Sequence, residues 1–195
     1  MPFSDIMHHA MIHALRASSL PCEDPAFSEI LEYMDNIPAF NDVIDLVDDL
    51  NKEQGWAKIH AAMLSNGGAG QLETTFKECA PLGLHKHCFK DVVCAEAVGK
   101  YKPAKEVYRH LADKLGVGAD MGRINLVSAN PFDIAGANAV GMATIWVDRE
   151  GGGWQDQLLL DRGADGKPDW VVNGLSDLVD KVIAGRIGGK LGARR

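Results

Sequence analysis

Long apolar runs are missing from this 195-residue sequence, and this absence excludes a membrane-spanning helix. No stretch approaches the roughly 18 apolar residues that are needed to cross a bilayer. The first fifteen residues, MPFSDIMHHAMIHAL, carry one Asp and three His where a secretory signal is apolar. We therefore predict a cytoplasmic protein without a membrane partner.

Positive charge is also scarce, because 20 Lys and Arg stand against 27 Asp and Glu, for a net charge of -7. This balance disfavours nucleic acid and anionic membranes as partners. The four cysteines, at positions 22, 79, 88 and 94, have irregular spacings, so we expect reduced thiols rather than a disulfide framework. A chain that is 46% hydrophobic and 24% charged is ordinary for one globular unit with its own core.

The first part of the chain is predicted to be helical. Apolar residues recur at intervals of three and four over residues 5–17, which is typical of an amphipathic helix. Residues 25–34 form a second predicted helix, with Pro25 at its first position, and residues 43–53 form a third. No strand is predicted before residue 55.

Strands and helices alternate in the rest of the chain. The predicted strands are 56–64, 91–95, 124–129 and 143–148, the predicted helices are 71–79, 105–115, 133–140 and 175–184, and an edge strand is possible at 157–160. This alternation predicts an α/β fold with a parallel sheet wound through right-handed crossovers. We expect an α/β core at 55–185, preceded by a separate helical region at 1–54 and followed by a flexible basic tail at 186–195.

Polar residues cluster where three of the predicted strands end. Because the carboxyl ends of parallel strands form the binding crevice of such sheets, chemistry is expected there. The clusters comprise Ser65 and Asn66, Lys100 and Lys102, and Ser128, Asn130 and Asp133. Each has a structural alternative: Asn130 with Pro131 and Asp133 suits a helix N-terminus, Ser65 or Asn66 suits another, and Lys102 suits a solvated surface.

The order of these motifs resembles the haloacid dehalogenase (HAD) superfamily. Ser-Asn-Gly follows one strand, Lys-Pro opens the helix after the next, and Ser-x-Asn-x-x-Asp follows a third. VVCAEAVGKYKPAKEVYRHLADKLG followed by INLVSANPFDIAGANAVGMATIWVDR is similar to the 2-haloacid dehalogenase branch, over roughly residues 5–184. The resemblance implies a Rossmann-like HAD sheet with helices on both faces.

The resemblance also implies roles for these residues. Ser65 would hold the anionic group of the substrate, Lys102 would balance negative charge, and Ser128, Asn130 and Asp133 would position the nucleophile and water. The helices before residue 54 would be the later part of the family's helical cap. No metal and no other cofactor is implied, because dehalogenases of this branch use none.

One element of the family pattern has no match in this sequence. The family carries its nucleophilic aspartate on a central first strand, followed by Gly-Thr-Leu, whereas Asp5 lies in a helical pattern without that turn. We therefore expect a truncated form whose strands at 59–64 and 124–129 pair directly, with a homodimer covering the remaining apolar surface. Lys102 and Asp133 are then expected to pair with each other.

Without that nucleophile, our leading hypothesis is a non-hydrolytic enzyme of natural-product biosynthesis that folds an apolar small molecule for cyclisation, such as an intramolecular cycloaddition, or isomerisation. Ser65, Asn66, Lys102, Ser128, Asn130 and Asp133 would supply polar contacts, and Met7, Met11, Ile12, Met34, Phe40 and Trp56 would form apolar walls. For each apolar residue, plain core packing is the alternative. Two other hypotheses stay open: a 2-haloacid dehalogenase whose nucleophile strand was lost or is supplied elsewhere, and a noncatalytic binding protein.

Histidines offer one further alternative. His9 and His13 lie one helical turn apart beside His8, and the HKHC segment at 85–88 adds possible ligands for zinc. Surface or pocket-lining histidines are the favoured interpretation, and we predict no metal.

Overall fold

The computed structural model describes residues 1–22, 29–30, 33, 37–51, 60–156 and 167–183. Two helices precede the first strand: α1 (Phe3–Ala17) and α2 (Asp42–Asn51). The following elements are β1 (Ala61–Ser65), α3 (Ala69–Glu78), α4 (Ala80–Leu84), β2 (Phe89–Cys94), α5 (Lys105–Lys114), β3 (Asn125–Ser128), α6 (Pro131–Ala139), β4 (Ala143–Val147), β5 (Trp170–Val172) and α7 (Leu175–Ile183). Short 3-10 turns occur at Lys86–Cys88, Ala95–Val98 and Met121–Arg123.

These elements confirm the predicted α/β fold and shift its boundaries by a few residues. Helix α6 begins at Pro131 rather than at 133, because proline occupies the first helical position after Asn130. β5 was not predicted, since three residues are too few to give a recognisable alternation. The predicted helix at 25–34 falls largely outside the described residues, and the predicted edge strand at 157–160 falls entirely outside them.

All described strand pairs are parallel. β1 pairs with β2, with Ser65 opposite Cys94 at the carboxyl end. β4 pairs with β3 on one side and with β5 on the other, and Ser128 lies opposite Trp146. The two groups form separate sheets, ordered β1-β2 and β3-β4-β5.

The expected direct pairing of β1 with β3 is therefore wrong for the part of the chain that the structure describes. At the end of β1, the carbonyl oxygen of Leu64 accepts a hydrogen bond from the Lys102 side chain, at 3.1 Å. The same ammonium group reaches Asp133, at the start of α6 beyond β3. The Lys102 side chain thus connects the carboxyl end of β1 to the first turn of α6, and no ladder joins β1 to β3 among the described residues.

The two sheets nevertheless meet in one hydrophobic cluster through β3, while Ile145, Val147, Val172 and Leu178 form a second cluster under β4, β5 and α7. Buried residues of β2, α5, β3 and α6 pack together, and Ala62 and Leu64 of β1 pack against them. Tyr108 of α5 is fully buried in this cluster. Its ring lies against Gly136 of α6, where any side chain would overlap it. The close approach of α5 and α6 therefore depends on glycine at this position.

Helix α2 packs on α7, which follows β5. The Asp42 carboxylate accepts hydrogen bonds from the Arg149 side chain and from the backbone N–H of Leu175. The Ser176 hydroxyl donates to the Asp45 carboxylate at 2.7 Å. Part of the predicted region 1–54 thus contacts the helices of the predicted core. The domain boundary at residue 54 stays a prediction.

Among the described residues, no helix has the length and apolar character needed to cross a membrane. All four cysteines are free thiols, as expected.

Candidate active site at the carboxyl ends of the strands

Lys102 is the centre of the candidate site. It lies in the loop between β2 and α5, and its side chain is only 11% exposed. The ammonium group donates to Leu64 O at 3.1 Å and to Asp133 Oδ2 at 3.0 Å. An ammonium has three donors, so one N–H remains for a further acceptor.

Asp133 is the buried partner of this lysine, with a side chain that is 4% exposed. Its Oδ2 also accepts the Ser128 hydroxyl at 2.8 Å. Its Oδ1 is buried and has no hydrogen-bond partner among the described residues. The expected Lys102–Asp133 pair is therefore present, and it leaves one carboxylate oxygen unused.

Asn66 holds the backbone of Lys102 in place. Its side-chain oxygen accepts the Lys102 N–H at 2.8 Å, and its amide nitrogen lies 3.4 Å from the Lys102 carbonyl oxygen. Ser65, the last residue of β1, accepts the Gly67 N–H at 3.0 Å. These contacts join the end of β1 to the Lys102 loop. We call Ser65, Asn66, Lys102, Ser128 and Asp133 the charged cluster.

Tyr108 supports the cluster from the core side. Its hydroxyl donates to the backbone oxygen of Asp133 at 3.2 Å. Burial, followed by the nearby negative charge of Asp133, raises the pKa of Tyr108 well above its ordinary value of 10. The phenol therefore stays a neutral donor and fixes the first turn of α6. Sequence patterns did not single out Tyr108, because a buried tyrosine on an amphipathic helix looks like any core residue.

Asn130 is the N-cap residue of α6, but its exposed side chain makes no capping hydrogen bond. Its backbone N–H donates to the Ser128 hydroxyl oxygen at 3.0 Å. Ser128 thereby connects the turn to Asp133. The amide side chain of Asn130 lies at the edge of the cluster, facing solvent.

The apolar residues that were predicted to line the pocket are not brought together as the polar residues of the charged cluster are, as far as the described residues show. Met7, Met11 and Ile12 are half-buried on α1, which has no fully buried residue. Phe40 is 63% exposed, with the Arg149 guanidinium 4.2 Å from its ring centre. Met34 and Trp56 lie outside the described residues.

Helix α1 does approach the loop that carries Lys102. The rings of Phe3 and Tyr101 lie 5.3 Å apart, and the Tyr101 hydroxyl donates to the backbone oxygen of Met1 at 2.6 Å. The predicted cap helix is thus adjacent to the site through its first residues.

Comparison with known proteins identifies a family for most of the chain. The model of haloacid dehalogenase-like hydrolases matches residues 6–141. The (S)-2-haloacid dehalogenase of Pseudomonas sp. (strain YL) is 30% identical over 141 residues, which are 72% of this chain and 53% of that protein. The glyceraldehyde 3-phosphate phosphatase of Methanopyrus kandleri is 34% identical over 101 residues, which are 52% of this chain and 41% of that protein. The chain therefore spans about half the length of the curated relatives that it matches.

Solved structures agree with this family. A crystal structure of an L-2-haloacid dehalogenase matches 93% of this chain and 73% of its own chain, with a TM-score of 0.77 and 26% identity. The L-2-haloacid dehalogenase of Xanthobacter autotrophicus with chloropropionic acid covalently bound matches with a TM-score of 0.70 and 23% identity, covering 93% and 76% of the two chains. Because its identity is only 23%, the match to the Xanthobacter enzyme supports the Rossmann-like HAD fold and nothing further.

These relatives overturn the leading hypothesis from the sequence. They are enzymes named as dehalogenases and a phosphatase, and the matched family is one of hydrolases. The prediction of a non-hydrolytic cyclase or isomerase of natural-product biosynthesis is therefore wrong. The physical reason lies in the cluster, since Lys102, Ser128 and Asn66 are engaged in a charged network rather than arranged along an apolar mould.

Proposed function

This chain belongs to the haloacid dehalogenase-like hydrolases, and we propose that it forms part of a hydrolase of the 2-haloacid dehalogenase type. The substrate would be a small anion, and the charged cluster around Lys102 would form part of the reacting centre. The observation that carries this proposal is the buried ammonium of Lys102, which keeps one N–H free beside an unused oxygen of Asp133.

The proposed reaction has two steps. A carboxylate attacks the carbon that bears the halogen, the carbon–halogen bond breaks with its electron pair leaving on the halide, and an ester forms. Water then attacks the ester carbonyl, the ester C–O bond breaks, and the carboxylate is regenerated with release of the 2-hydroxy acid and one proton. The free N–H of Lys102 would bind the attacking carboxylate or the substrate's negative charge, since a preorganised cation in a water-poor site stabilises developing charge strongly.

Asp133 is proposed to position Lys102 rather than to attack. Its Oδ2 already carries two hydrogen bonds, from Lys102 and from Ser128. We propose that the attacking carboxylate lies on a further strand seated between β1 and β3. This is supported by the open edges of both strands, because each pairs on one side only among the described residues.

Ser65 and Asn130 are proposed to contact the substrate. The Ser65 hydroxyl oxygen accepts the Gly67 N–H, so its own hydrogen is available to an anion. Helix α1 is proposed to be part of a cover, supported by its contact with Tyr101 beside Lys102. We also propose a homodimer, supported by the outer edges of β2 and β5, each of which pairs on one side only among the described residues. Sedimentation at equilibrium tests it, and a monomer would refute it.

The experiment that tests the hydrolase supplies the proposed strand with its attacking carboxylate. The segment of the (S)-2-haloacid dehalogenase that precedes the part matched by this chain is joined to its N-terminus. Chloride release from (S)-2-chloropropionate is then measured by ion chromatography. We expect the joined protein to release chloride, and we expect Lys102→Met to lower kcat by at least about 100-fold, since it removes a preorganised charge.

Lys100→Met is the matched control, because Lys100 is in the same loop but is 53% exposed and pairs with Glu106 at 2.6 Å. It should leave kcat within about twofold, as expected for an exposed ion pair. A folded joined protein that releases no chloride would refute the proposal, and so would unchanged turnover in Lys102→Met.

A further inference from the structure

Three side chains with metal-binding atoms meet just before β2, away from the charged cluster. They belong to His85, His87 and Cys88, and their ligand atoms all lie within 4.8 Å of one another. The backbone explains this grouping. The Cys88 N–H donates to His85 O at 2.9 Å in a 3-10 turn, and residues three apart lie on the same side of such a turn.

Helix α2 supplies polar partners to the same three residues. Asp48 Oδ1 lies 3.6 Å from His85 Nε2, and Asn51 Oδ1 lies 2.9 Å from His87 Nε2. The Cys88 thiol faces the carbonyl oxygen of Val47 at 3.8 Å. Carboxylate and amide oxygens of this kind commonly orient the imidazoles that bind metals. The nearby negative charge of Asp48 also favours a cation.

One thiol and two imidazoles are the ligand types that zinc selects in proteins. In a tetrahedral site with bonds of about 2.0–2.3 Å, ligand atoms lie about 3.5 Å apart. The present separations, of up to 4.8 Å, therefore need to close by about 1.3 Å at most. Side-chain rotation can provide this, since His87 is exposed and His85 is half-buried.

We propose that His85, His87 and Cys88 form a zinc(II) site, with water in the fourth tetrahedral position. The site lies at the amino end of β2, whereas the charged cluster lies at the carboxyl ends of the strands. Six strand residues separate the two edges by roughly 20 Å. Zinc here cross-links the turn that precedes β2, whose two imidazoles contact α2, and it takes no part in the proposed hydrolysis.

Cobalt(II) is the first probe, because it reports thiolate coordination by a charge-transfer absorption band. The full chain, stripped with chelator, is titrated with Co²⁺ and then with Zn²⁺. We expect one Co²⁺ per chain with a thiolate band that Zn²⁺ abolishes. His85→Ala and His87→Ala should each weaken binding by at least about tenfold, and Cys88→Ser should remove the band.

Cys79→Ser and His60→Ala are the matched controls, since the cluster contains neither residue. Both should bind Co²⁺ as the parent does. A second readout does not depend on the cysteine variant folding: Zn²⁺ at about 100 times its Kd should raise the parent Tm by about 5–10 °C, and the same Zn²⁺ concentration should raise the His87→Ala Tm by no more than about half as much. The site is refuted by a band that persists in Cys88→Ser, by equal losses in the controls, or by no stoichiometric binding.

Discussion

Asp133 is the residue on which the charged cluster depends. It neutralises the buried ammonium of Lys102 and receives the Ser128 hydroxyl, while its own backbone oxygen is held by Tyr108. A buried charge is tolerated only when it is paired and hydrogen-bonded. Removing the charge of Asp133 therefore leaves Lys102 uncompensated in a site that water scarcely reaches.

We expect Asp133→Asn to lower the free energy of unfolding by about 3–5 kcal/mol, the usual cost of breaking one side of a buried ion pair. Urea denaturation followed by circular dichroism measures the loss. Asp113→Asn is the control, because Asp113 is exposed on α5 and should change stability by less than about 0.5 kcal/mol. Equal stability of the two variants would show that the pair is not energetically coupled to folding.

At the scale of elements, two carboxylates in the first turn of α2, Asp42 and Asp45, contact α7, and Asp42 makes the larger number of hydrogen bonds. Asp42 accepts two hydrogen bonds from Arg149, at 2.9 and 3.2 Å, and one from the Leu175 N–H at 2.9 Å. Burial tends to raise the pKa of Asp42, but these hydrogen bonds and the Arg149 charge prevail and hold the pKa below its ordinary value of 3.8. The ionised form is therefore favoured in the folded state.

This arrangement predicts a pH-dependent effect of Asp42→Asn. A carboxyl whose folded pKa is depressed contributes stability above its unfolded pKa, and this contribution is lost as the pH falls through the folded pKa. The variant should be less stable than the parent by about 1–3 kcal/mol at neutral pH. The difference should shrink below about pH 4.

Denaturation curves at several pH values check this prediction. Asp5→Asn serves as the control because Asp5 is exposed on α1, so its small effect should not vary in this way. A difference between Asp42→Asn and the parent that stays constant down to the acid limit would contradict the role given to the Asp42 charge.

At the largest scale, the two parallel sheets of the described residues pack against each other, and no backbone ladder between them occurs in that part of the chain. β4 lies between β3 and β5 and is almost wholly buried, whereas β1 pairs on one side and all its residues are half-buried. Backbone groups with fewer partners and more exposure open at lower free energy. The edge that faces the proposed additional strand is thus the less protected part of the fold.

We expect hydrogen exchange to reflect this difference. Amides of β4 should exchange at least about tenfold more slowly than those of β1, because their opening requires disruption of the buried centre of a sheet. Exchange measured by mass spectrometry on the full chain tests this. In the joined protein, protection of β1 and β3 should rise while that of β4 stays the same. Equal protection of β1 and β4 in the unjoined chain would argue against an open edge.

The sequence predicted most of the fold because its signals are local. Proline after Asn130, apolar runs ending at Ser65 and Ser128, and alternation of strands with helices each depend on neighbouring residues. β5 was not predicted, because three residues are too few to show an alternation of apolar and polar positions. The supporting role of Tyr108 was not predicted either, since it depends on a contact with Asp133, 25 positions away.

By itself, the sequence determined the α/β class, the parallel connectivity and the family, since periodicity and short motifs are properties of adjacent residues. Only the tertiary structure decided that β1 and β3 do not pair within the described part of the chain, that Lys102 connects Leu64 to Asp133, and that Asp48 approaches His85. These facts depend on distances between segments far apart in the chain, which are set by how the whole core packs.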